Sequence, residues 1–188
     1  MRTDSRLTAD GGAALLVVDL QTRLVPAIEG VDRVIANAVR LVRGAQILGV
    51  PTFATEQVPA KLGPTVPILA ELLPDRLPKA TFHAGGAEGL WDRLEAAKIR
   101  HVALVGIEAH ICVAQTALEL AARGYLVQVP IDAVGSRFPT DLDAALRRLE
   151  RSGITLTTTE AIVFEWVESA DHPRFREISA LVKERMGD

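Results

Sequence analysis

Short apolar runs alternate with longer amphipathic patterns along this sequence, and the alternation restricts the fold more than any other feature. Five such runs lie at 13–20, 50–55, 101–107, 125–133 and 153–159. Continuous apolar runs of this length are typical of strands that are covered on both faces in a parallel sheet. Helical patterns lie at 31–49, 87–99, 110–124 and 140–153, and the tail from 171 predicts a terminal helix.

Strands and helices in alternation indicate right-handed crossovers that feed an open parallel sheet with helices on both faces. The sequence therefore predicts a single three-layer α/β/α domain over 1–188 with a mainly parallel, Rossmann-like sheet, and we expect 1–12 to form a flexible N-terminus. Gly49 and Gly124 are expected to end two helices, and Thr140 to cap a third. Residues 56–80 contain five prolines and break the alternation, which predicts a functional or partly ordered loop.

Composition argues against several classes of protein. The net charge is −3 and no basic stripe is present, so nucleic acid is not an expected partner. No apolar stretch approaches the roughly 18 residues that span a bilayer, and the opening residues lack the apolar region of a signal peptide. We therefore predict a cytoplasmic protein with no membrane partner.

The single cysteine excludes a disulfide framework and a cysteine-rich zinc site. The glycine-rich signatures of dinucleotide and P-loop sites are also missing.

Two features stand at predicted carboxyl ends of strands, where an open α/β sheet binds its ligands. Asp19 ends the run "LLVVD", where a buried carboxylate needs a partner. Cys112 falls in the first turn of a helix, where free N–H groups and the helix macrodipole favour a thiolate. Each residue has an ordinary alternative, because free cysteines often serve as inert packing and an aspartate in this position often caps a loop or helix.

Lys79 is a third candidate, although its local pattern alone is typical of a solvated surface lysine. Brought together, the three side chains form a chemically competent set. The carboxylate accepts the thiol proton, the ammonium keeps the carboxylate ionised, and the thiolate attacks a carbonyl carbon.

Three segments, "LLVVDLQ", "LPKATF" and "GIEAHICVAQTALELAARGYLVQVPIDAVGSR", resemble the cysteine hydrolases of the isochorismatase superfamily. The resemblance is strongest to the isochorismatase domain-containing proteins and is extended by "TEQVPAKLGPTVPIL" and "HPRFREI". It runs from about residue 13 to 183 in matching order and spacing.

The resemblance implies a catalytic triad in which Asp19 is the general base, Lys79 its electrostatic partner and Cys112 the nucleophile. It also implies a cis peptide between Ile107 and Glu108. Such a bond would aim the backbone N–H groups of Glu108 and Cys112 at the developing oxyanion.

The sequence also differs from one branch of the superfamily. Nicotinamidases carry an aspartate and two histidines as metal ligands after the second strand, whereas 50–64 here contain no histidine. We therefore expect no metal and no cofactor. Gln57 stands in that region as a neutral group for substrate, and Phe82, His110 and Ile107 are further substrate-binding candidates. His110 lies two residues before the thiol, and residues two apart at a helix start point in different directions, so we favour a wall position over a Cys–His dyad.

The leading functional hypothesis is a metal-independent cysteine hydrolase that cleaves an amide or related C–N bond of a small molecule through a thioester. The alternative, of a different class, is a ligand-binding, interaction or thiol-sensing module on the same fold. A metal-dependent nicotinamidase-type amidase ranks third. The resemblance further implies a homo-oligomer.

Overall fold

A computed structural model describes residues 11–184 and contains one mainly parallel sheet. Its strands are β1 (Ala13–Val18), β2 (Thr52–Gln57), β3 (Leu77–Lys79), β4 (His101–Ile107), β5 (Leu126–Pro130), β6 (Val134–Gly135) and β7 (Thr155–Thr157). The strand order is β3-β2-β1-β4-β5-β7, and the short β6 pairs with the end of β4. Every strand pair in this sheet is parallel, which confirms the predicted fold class.

Helices cover both faces of the sheet. They are α1 (Val31–Leu48), α2 (Pro59–Leu62), α3 (Pro67–Leu72), α4 (Leu90–Ala96), α5 (Ala114–Ala122), α6 (Pro139–Arg151), α7 (Thr159–Val167) and α8 (Phe175–Lys183). One hydrophobic cluster joins the sheet to α1, α3, α7 and α8, and a second joins it to α4, α5 and α6. Alternate residues of β1 belong to the two clusters, because successive side chains of a strand point to opposite faces.

The proline-rich stretch is more ordered than the sequence predicts. Residues 56–80 hold the end of β2, the helices α2 and α3, and the edge strand β3. The prolines at 59 and 67 each stand at a helix start, where a missing N–H is tolerated. Prolines thus begin short helices in this segment, and the expectation of a long loop is wrong.

Helix ends agree with the sequence at both predicted glycines and differ at Thr140. Gly49 caps α1 with a φ of 72°, and Gly124 follows α5 with a φ of 87°. The helix α6 begins one residue earlier than expected, at Pro139, so Thr140 lies inside the helix and does not cap it. The helix α7 was not predicted from its pattern, because its mostly apolar sequence "TEAIVFEWV" has little amphipathic periodicity.

Two expectations about the chain as a whole are only partly addressed by the structure. Residues 1–10 of the predicted flexible N-terminus lie outside the described residues. Within 11–184, none of the helices combines the length and the apolar character needed to cross a bilayer.

Candidate active site

The candidate site lies where the strand order reverses. Strands β2 and β3 extend to one side of β1, and β4, β5 and β7 extend to the other. In open α/β sheets, the loops on either side of such a point diverge, and ligands bind between them at the carboxyl edge. Asp19 directly follows β1 and Cys112 lies in the turn after β4. The two residues singled out from the sequence thus come from adjacent strands.

Asp19 is fully buried, and both of its carboxylate oxygens accept hydrogen bonds. The Thr55 hydroxyl donates to Oδ1 at 2.8 Å, and the Lys79 ammonium donates to Oδ2 at 2.6 Å. The backbone N–H of Asp19 also donates to the Thr55 carbonyl, at 3.2 Å. The φ of Asp19 is 57°, a left-handed conformation in which aspartate is one of the more tolerant residues. These contacts hold the carboxylate in one orientation.

Lys79 reaches Asp19 across the end of β2. It is the last residue of β3, in register with Gln57 of β2. Besides Asp19, the Nζ atom donates to Gln57 Oε1 at 2.5 Å and to the carbonyl oxygens of Thr81 at 3.2 Å and Phe82 at 3.1 Å. Both side chains of the Lys79–Asp19 pair are 0% exposed. The pair is therefore an internal ion pair, and the surface alternative for Lys79 is excluded.

Cys112 lies in a π-helical turn, Ala109–Val113, that precedes α5. Single π turns inside helices are often found at functional sites. Cys112 is 5% exposed, and the Asp19 carboxylate acts on its thiol. Burial, and then the charge of Asp19, raise the pKa of the Cys112 thiol from an ordinary 9.0 to about 12, although the Lys79 charge acts in the opposite direction.

This pKa shift corrects one expectation from the sequence. The position of Cys112 at a helix start predicted a lowered thiol pKa and a favoured thiolate, but the pKa is raised. Burial and a neighbouring carboxylate disfavour the anion, and together they outweigh the N–H dipoles. The resting Cys112 side chain is a neutral thiol beside the Asp19 carboxylate.

The turn between β4 and the nucleophile is made without a cis peptide. All peptide bonds among the described residues are trans, including the one between Ile107 and Glu108, so the expected cis bond is not found. Glu108 has a φ of 52°, and this left-handed residue reverses the chain direction instead. Two residues earlier, Gly106 has a φ of 144°, and a Cβ placed there would lie 2.1 Å from the Val18 carbonyl oxygen. Only glycine allows β1 and β4 to approach so closely at the site.

Charged side chains surround the start of this turn. Glu108 Oε1 pairs with Arg137 Nε at 2.6 Å, and Glu108 Oε2 lies 3.5 Å from His110 Nδ1. The same Nδ1 lies 3.1 Å from the Ser136 hydroxyl, and Nε2 lies 3.7 Å from Asp141 Oδ2. His110 therefore faces β6 and α6, which agrees with a wall position and not with a base for the thiol.

The remaining substrate-binding candidates occupy different environments. Both polar atoms of the Gln57 amide are hydrogen-bonded. Its oxygen accepts from the Lys79 ammonium, and its nitrogen donates to the Ala80 carbonyl at 2.8 Å. The Phe82 side chain is 53% exposed beside the backbone that holds Lys79. Ile107 is fully buried in the hydrophobic cluster opposite the one that contains Cys112. The structure therefore does not bring the Ile107 side chain to the thiol.

Sequence reasoning missed three residues that the structure adds to the site. Thr55 orients Asp19, while Arg137 and Ser136 anchor the turn that carries Cys112. Thr55 was accessible from the sequence, since it ends the predicted strand 50–55 at the same sheet edge as Asp19. No comparable signal marks Arg137 and Ser136, whose contacts depend on how β6 lies against β4. Within 11–184, the His, Cys, Asp and Glu side chains form no group of three able to hold a metal ion.

Comparison with known proteins places this architecture in a family of hydrolases. The Isochorismatase domain model matches residues 13–161. Isochorismatase domain-containing protein 2 of Danio rerio is 42% identical over 173 residues, which cover 91% of this chain and 87% of that protein. Isochorismatase domain-containing protein 1 of Salmo salar is 40% identical over 167 residues, which cover 88% of this chain but only 59% of that longer protein. The chain belongs to the isochorismatase family.

Solved structures share the fold over almost the whole chain. The MAR1 ribonuclease of Caenorhabditis elegans superposes with a TM-score of 0.90 at 39% identity and covers 97% of this chain and 95% of its own. The YcaC gene product of Escherichia coli, described as an octameric hydrolase of unknown specificity, has a TM-score of 0.85 at 25% identity and covers 97% and 89%. The fold of this chain is that of the family's hydrolases.

Proposed function

We propose that this chain is a metal-independent cysteine hydrolase that cleaves an amide or related C–N bond of a small molecule through a thioester intermediate. One observation carries the proposal. A neutral thiol lies beside a buried carboxylate that acts on its pKa, and this carboxylate is held in place by an ammonium and a hydroxyl. This is the arrangement of a nucleophile, its general base and the groups that orient the base.

In the proposed reaction, Asp19 accepts the thiol proton while the sulfur of Cys112 bonds to the carbonyl carbon. The backbone N–H groups of Glu108 and Cys112 donate to the oxyanion. The C–N bond then breaks, and the leaving amine takes its proton from Asp19. A water molecule next loses a proton to Asp19 and attacks the thioester, the C–S bond breaks, and the sulfur regains the proton. The products are a carboxylic acid and an amine.

The raised thiol pKa favours this scheme over a thiol-sensing module. Redox sensors depend on an exposed cysteine that is already a thiolate at neutral pH. With a pKa of about 12 and an exposure of 5%, Cys112 reacts only when a base removes its proton at the moment of attack. Asp19 is positioned to be that base.

The direct test is an ammonia-release screen over primary amides and N-carbamoyl compounds. We expect turnover of at least one class by the wild type and none by Cys112→Ala. Mass spectrometry of the working enzyme should show an acyl group on Cys112, which a non-catalytic binding module does not form. Activity that a chelator removes and zinc restores would instead indicate the nicotinamidase-type alternative.

RNA belongs in the same screen as a counter-substrate, because the similar Caenorhabditis elegans protein is named a ribonuclease. With a net charge of −3, we expect no RNA cleavage by this chain. RNA cleavage that Cys112→Ala abolishes would replace the amide proposal.

We also propose that the protein is cytoplasmic, that residues 1–188 act as one hydrolase domain, and that the protein assembles as a homo-oligomer. The Escherichia coli relative is described as octameric. Phe82 and Phe138, which are 53% and 61% exposed, lie in the loops after β3 and β6 on the site's side of the sheet. Light scattering of the eluting protein tests the assembly, and a monomer at all concentrations would contradict it.

A further inference from the structure

One buried carboxylate oxygen beside the nucleophile has no hydrogen-bond donor. Glu108 is 7% exposed, and its Oε1 atom pairs with Arg137. Its Oε2 atom is buried and accepts no hydrogen bond from the described residues. An unsatisfied buried acceptor is destabilising, and more so when the group is charged. An acceptor of this kind beside a candidate nucleophile is available to a donor group of a ligand.

The nearest side chain does not supply that partner. His110 Nδ1 lies 3.5 Å from Glu108 Oε2 but 3.1 Å from the Ser136 hydroxyl, which is the closer of the two. The other ring nitrogen lies toward Asp141. His110 is thus engaged with β6 and α6, and Oε2 is left without a donor.

Glu108 is close to the reacting sulfur in space and in sequence. Its carbonyl accepts hydrogen bonds from Ile111 at 2.8 Å and Val113 at 3.4 Å, on either side of Cys112. Its charge is also one of the causes that raise the pKa of the Cys112 thiol. With a φ of 52°, Glu108 is held in a backbone conformation that non-glycine residues rarely adopt and that clusters at functional sites.

We propose that Glu108 is a specificity-determining residue whose Oε2 atom accepts a hydrogen bond from an N–H group next to the scissile carbonyl. This inference rests on the proposed function and narrows its substrate class. Primary amides, N-carbamoyl groups and secondary amides carry such a donor, whereas esters and tertiary amides do not. Arg137 holds Oε1 and so fixes the direction of Oε2; it acts as a positioning residue.

The proposal also explains how substrates without an N–H group would be rejected. A substrate without an N–H group leaves Oε2 unpaired in a closed site, and a site with an unmet polar group rejects such analogues strongly. Cys112 and Glu108 are almost equally enclosed, at 5% and 7% exposure. The Glu108 charge acts on the thiol, and the proposal has the substrate N–H group meet Oε2 when its carbonyl reaches the sulfur.

Three covalent probes that differ only in the number of N-methyl groups test this inference: acrylamide, N-methylacrylamide and N,N-dimethylacrylamide. The sulfur of Cys112 adds to the terminal carbon of each probe, and the thiol proton ends on the adjacent carbon. Each second-order rate is divided by the rate of the same probe with free cysteine, which removes intrinsic reactivity. We expect the two probes with an N–H group to react at least about tenfold faster, relative to the dimethyl probe, in the wild type.

Glu108→Gln is the informative variant. Its single amide oxygen is needed by Arg137, so an NH2 group replaces Oε2 and cannot accept a hydrogen bond. We expect the preference for N–H probes to vanish, while the lost Glu108 charge changes the rates of all three probes by a common factor. The matched control is Glu56→Gln, which alters another buried glutamate paired with an arginine and should preserve the preference. Equal slowing of all three probes in Glu108→Gln, with the preference kept, would identify a merely structural role and overturn the inference.

The wild-type comparison distinguishes this inference from the proposed function without any variant. A dimethyl probe that reacts much faster with Cys112 than with free cysteine, without any N–H preference, overturns the role of Glu108 and leaves the hydrolase proposal standing. Slow reaction with all three probes overturns both.

Discussion

Asp19 and Glu56 are both buried carboxylates paired with a cation, yet only Asp19 also lies beside a thiol. Asp19 pairs with Lys79 and Glu56 pairs with Arg76. Asp19 is 0% exposed and Glu56 9%. Their difference lies in the third group that each carboxylate meets.

At Glu56, the surrounding donors belong to the fold alone. Oε1 accepts from the Thr65 backbone N–H and hydroxyl, both at 2.8 Å, and from Arg76 Nε at 3.0 Å. Burial by itself raises the pKa of Glu56, but the hydrogen bonds from Thr65 and the charge of Arg76 outweigh burial, and the net pKa is lowered. The carboxylate is therefore kept as an anion that secures a loop.

At Asp19, the third group is the thiol of Cys112. The carboxylate raises the pKa of the thiol at rest, and in the proposed reaction it receives the thiol proton during attack. Burial and a cation alone therefore do not mark a catalytic carboxylate. A neighbouring group whose pKa is raised by that same carboxylate is the more informative sign.

The largest expected contrast is in turnover. Asp19→Asn should lower kcat for ammonia release by about 10²–10⁴-fold, because the general base is lost. Glu56→Gln should leave kcat nearly unchanged. Initial rates at neutral pH on one amide substrate measure both variants, with circular dichroism as the control for folding. Equal losses in the two variants would remove the distinction between the two carboxylates.

The next contrast is in the free energy of unfolding. Lys79→Met leaves Asp19 buried without its cation and should destabilise the protein by about 3–5 kcal/mol. Arg76→Met should cost less, about 1–3 kcal/mol, because Arg76 is partly exposed and Thr65 still donates twice to Glu56. Urea unfolding measures both. The double variant Asp19→Asn, Lys79→Met should recover part of the first loss, and no recovery would argue against a coupled pair.

The two sites should also respond to opposite ends of the pH scale. The Glu56 pKa is lowered from 4.5 in the folded state, so its stabilisation is present above that pH and is lost as the pH falls. The Cys112 pKa is raised from 9.0 to about 12, so its contribution is present below pH 9 and is lost as the pH rises through that range. The alkaline loss should reach about 1.4 kcal/mol per pH unit.

Urea unfolding series at acid and alkaline pH check these signs. Glu56→Gln should reduce the change in the free energy of unfolding with pH only at acid pH. Cys112→Ala should reduce it only at alkaline pH. The difference from wild type isolates each group from the lysines and tyrosine that titrate in the same alkaline range. A Cys112→Ala variant with the wild-type alkaline slope would show that the thiol pKa is not raised.

The smallest contrast concerns the two threonines. Thr55→Val removes the hydroxyl that orients Asp19 and should lower kcat about tenfold, equivalent to about 1.4 kcal/mol. Thr65→Val removes a donor to Glu56 and should reduce stability without a matching loss of kcat. Kinetics and unfolding of both variants are compared side by side. Loss of kcat in Thr65→Val alone would reverse the assignment.

The fold was predictable from sequence because parallel strands covered on both faces are continuous apolar runs. The exceptions have physical causes. The edge strand β3 is three residues long and lies within a proline-rich segment. It therefore contains no continuous apolar run that would predict a strand. The helix α7 lacks a polar face, and the N-terminal residue of α6 is a proline where a threonine cap was expected.

The site was predictable in its members but not in its electrostatics. Asp19 and Cys112 follow adjacent strands of one sheet edge, which the rule for open α/β sheets anticipates. Lys79 was recognised only through family resemblance, since its pairing depends on β3 lying beside β2. The sign of the Cys112 pKa shift depends on burial and on the contact with Asp19, and both arise from tertiary packing that no local pattern encodes.

The most direct test of the central claim is the pH dependence of Cys112 alkylation by acrylamide in wild type and in Asp19→Asn. If Asp19 takes the thiol proton during attack, the wild type should react rapidly at neutral pH even though the thiol pKa is about 12. Asp19→Asn should then be slower at neutral pH by about 10²-fold or more, with a rate that rises as the pH increases. A slow wild-type reaction that follows free-thiol ionisation and is unchanged by the substitution would contradict the account.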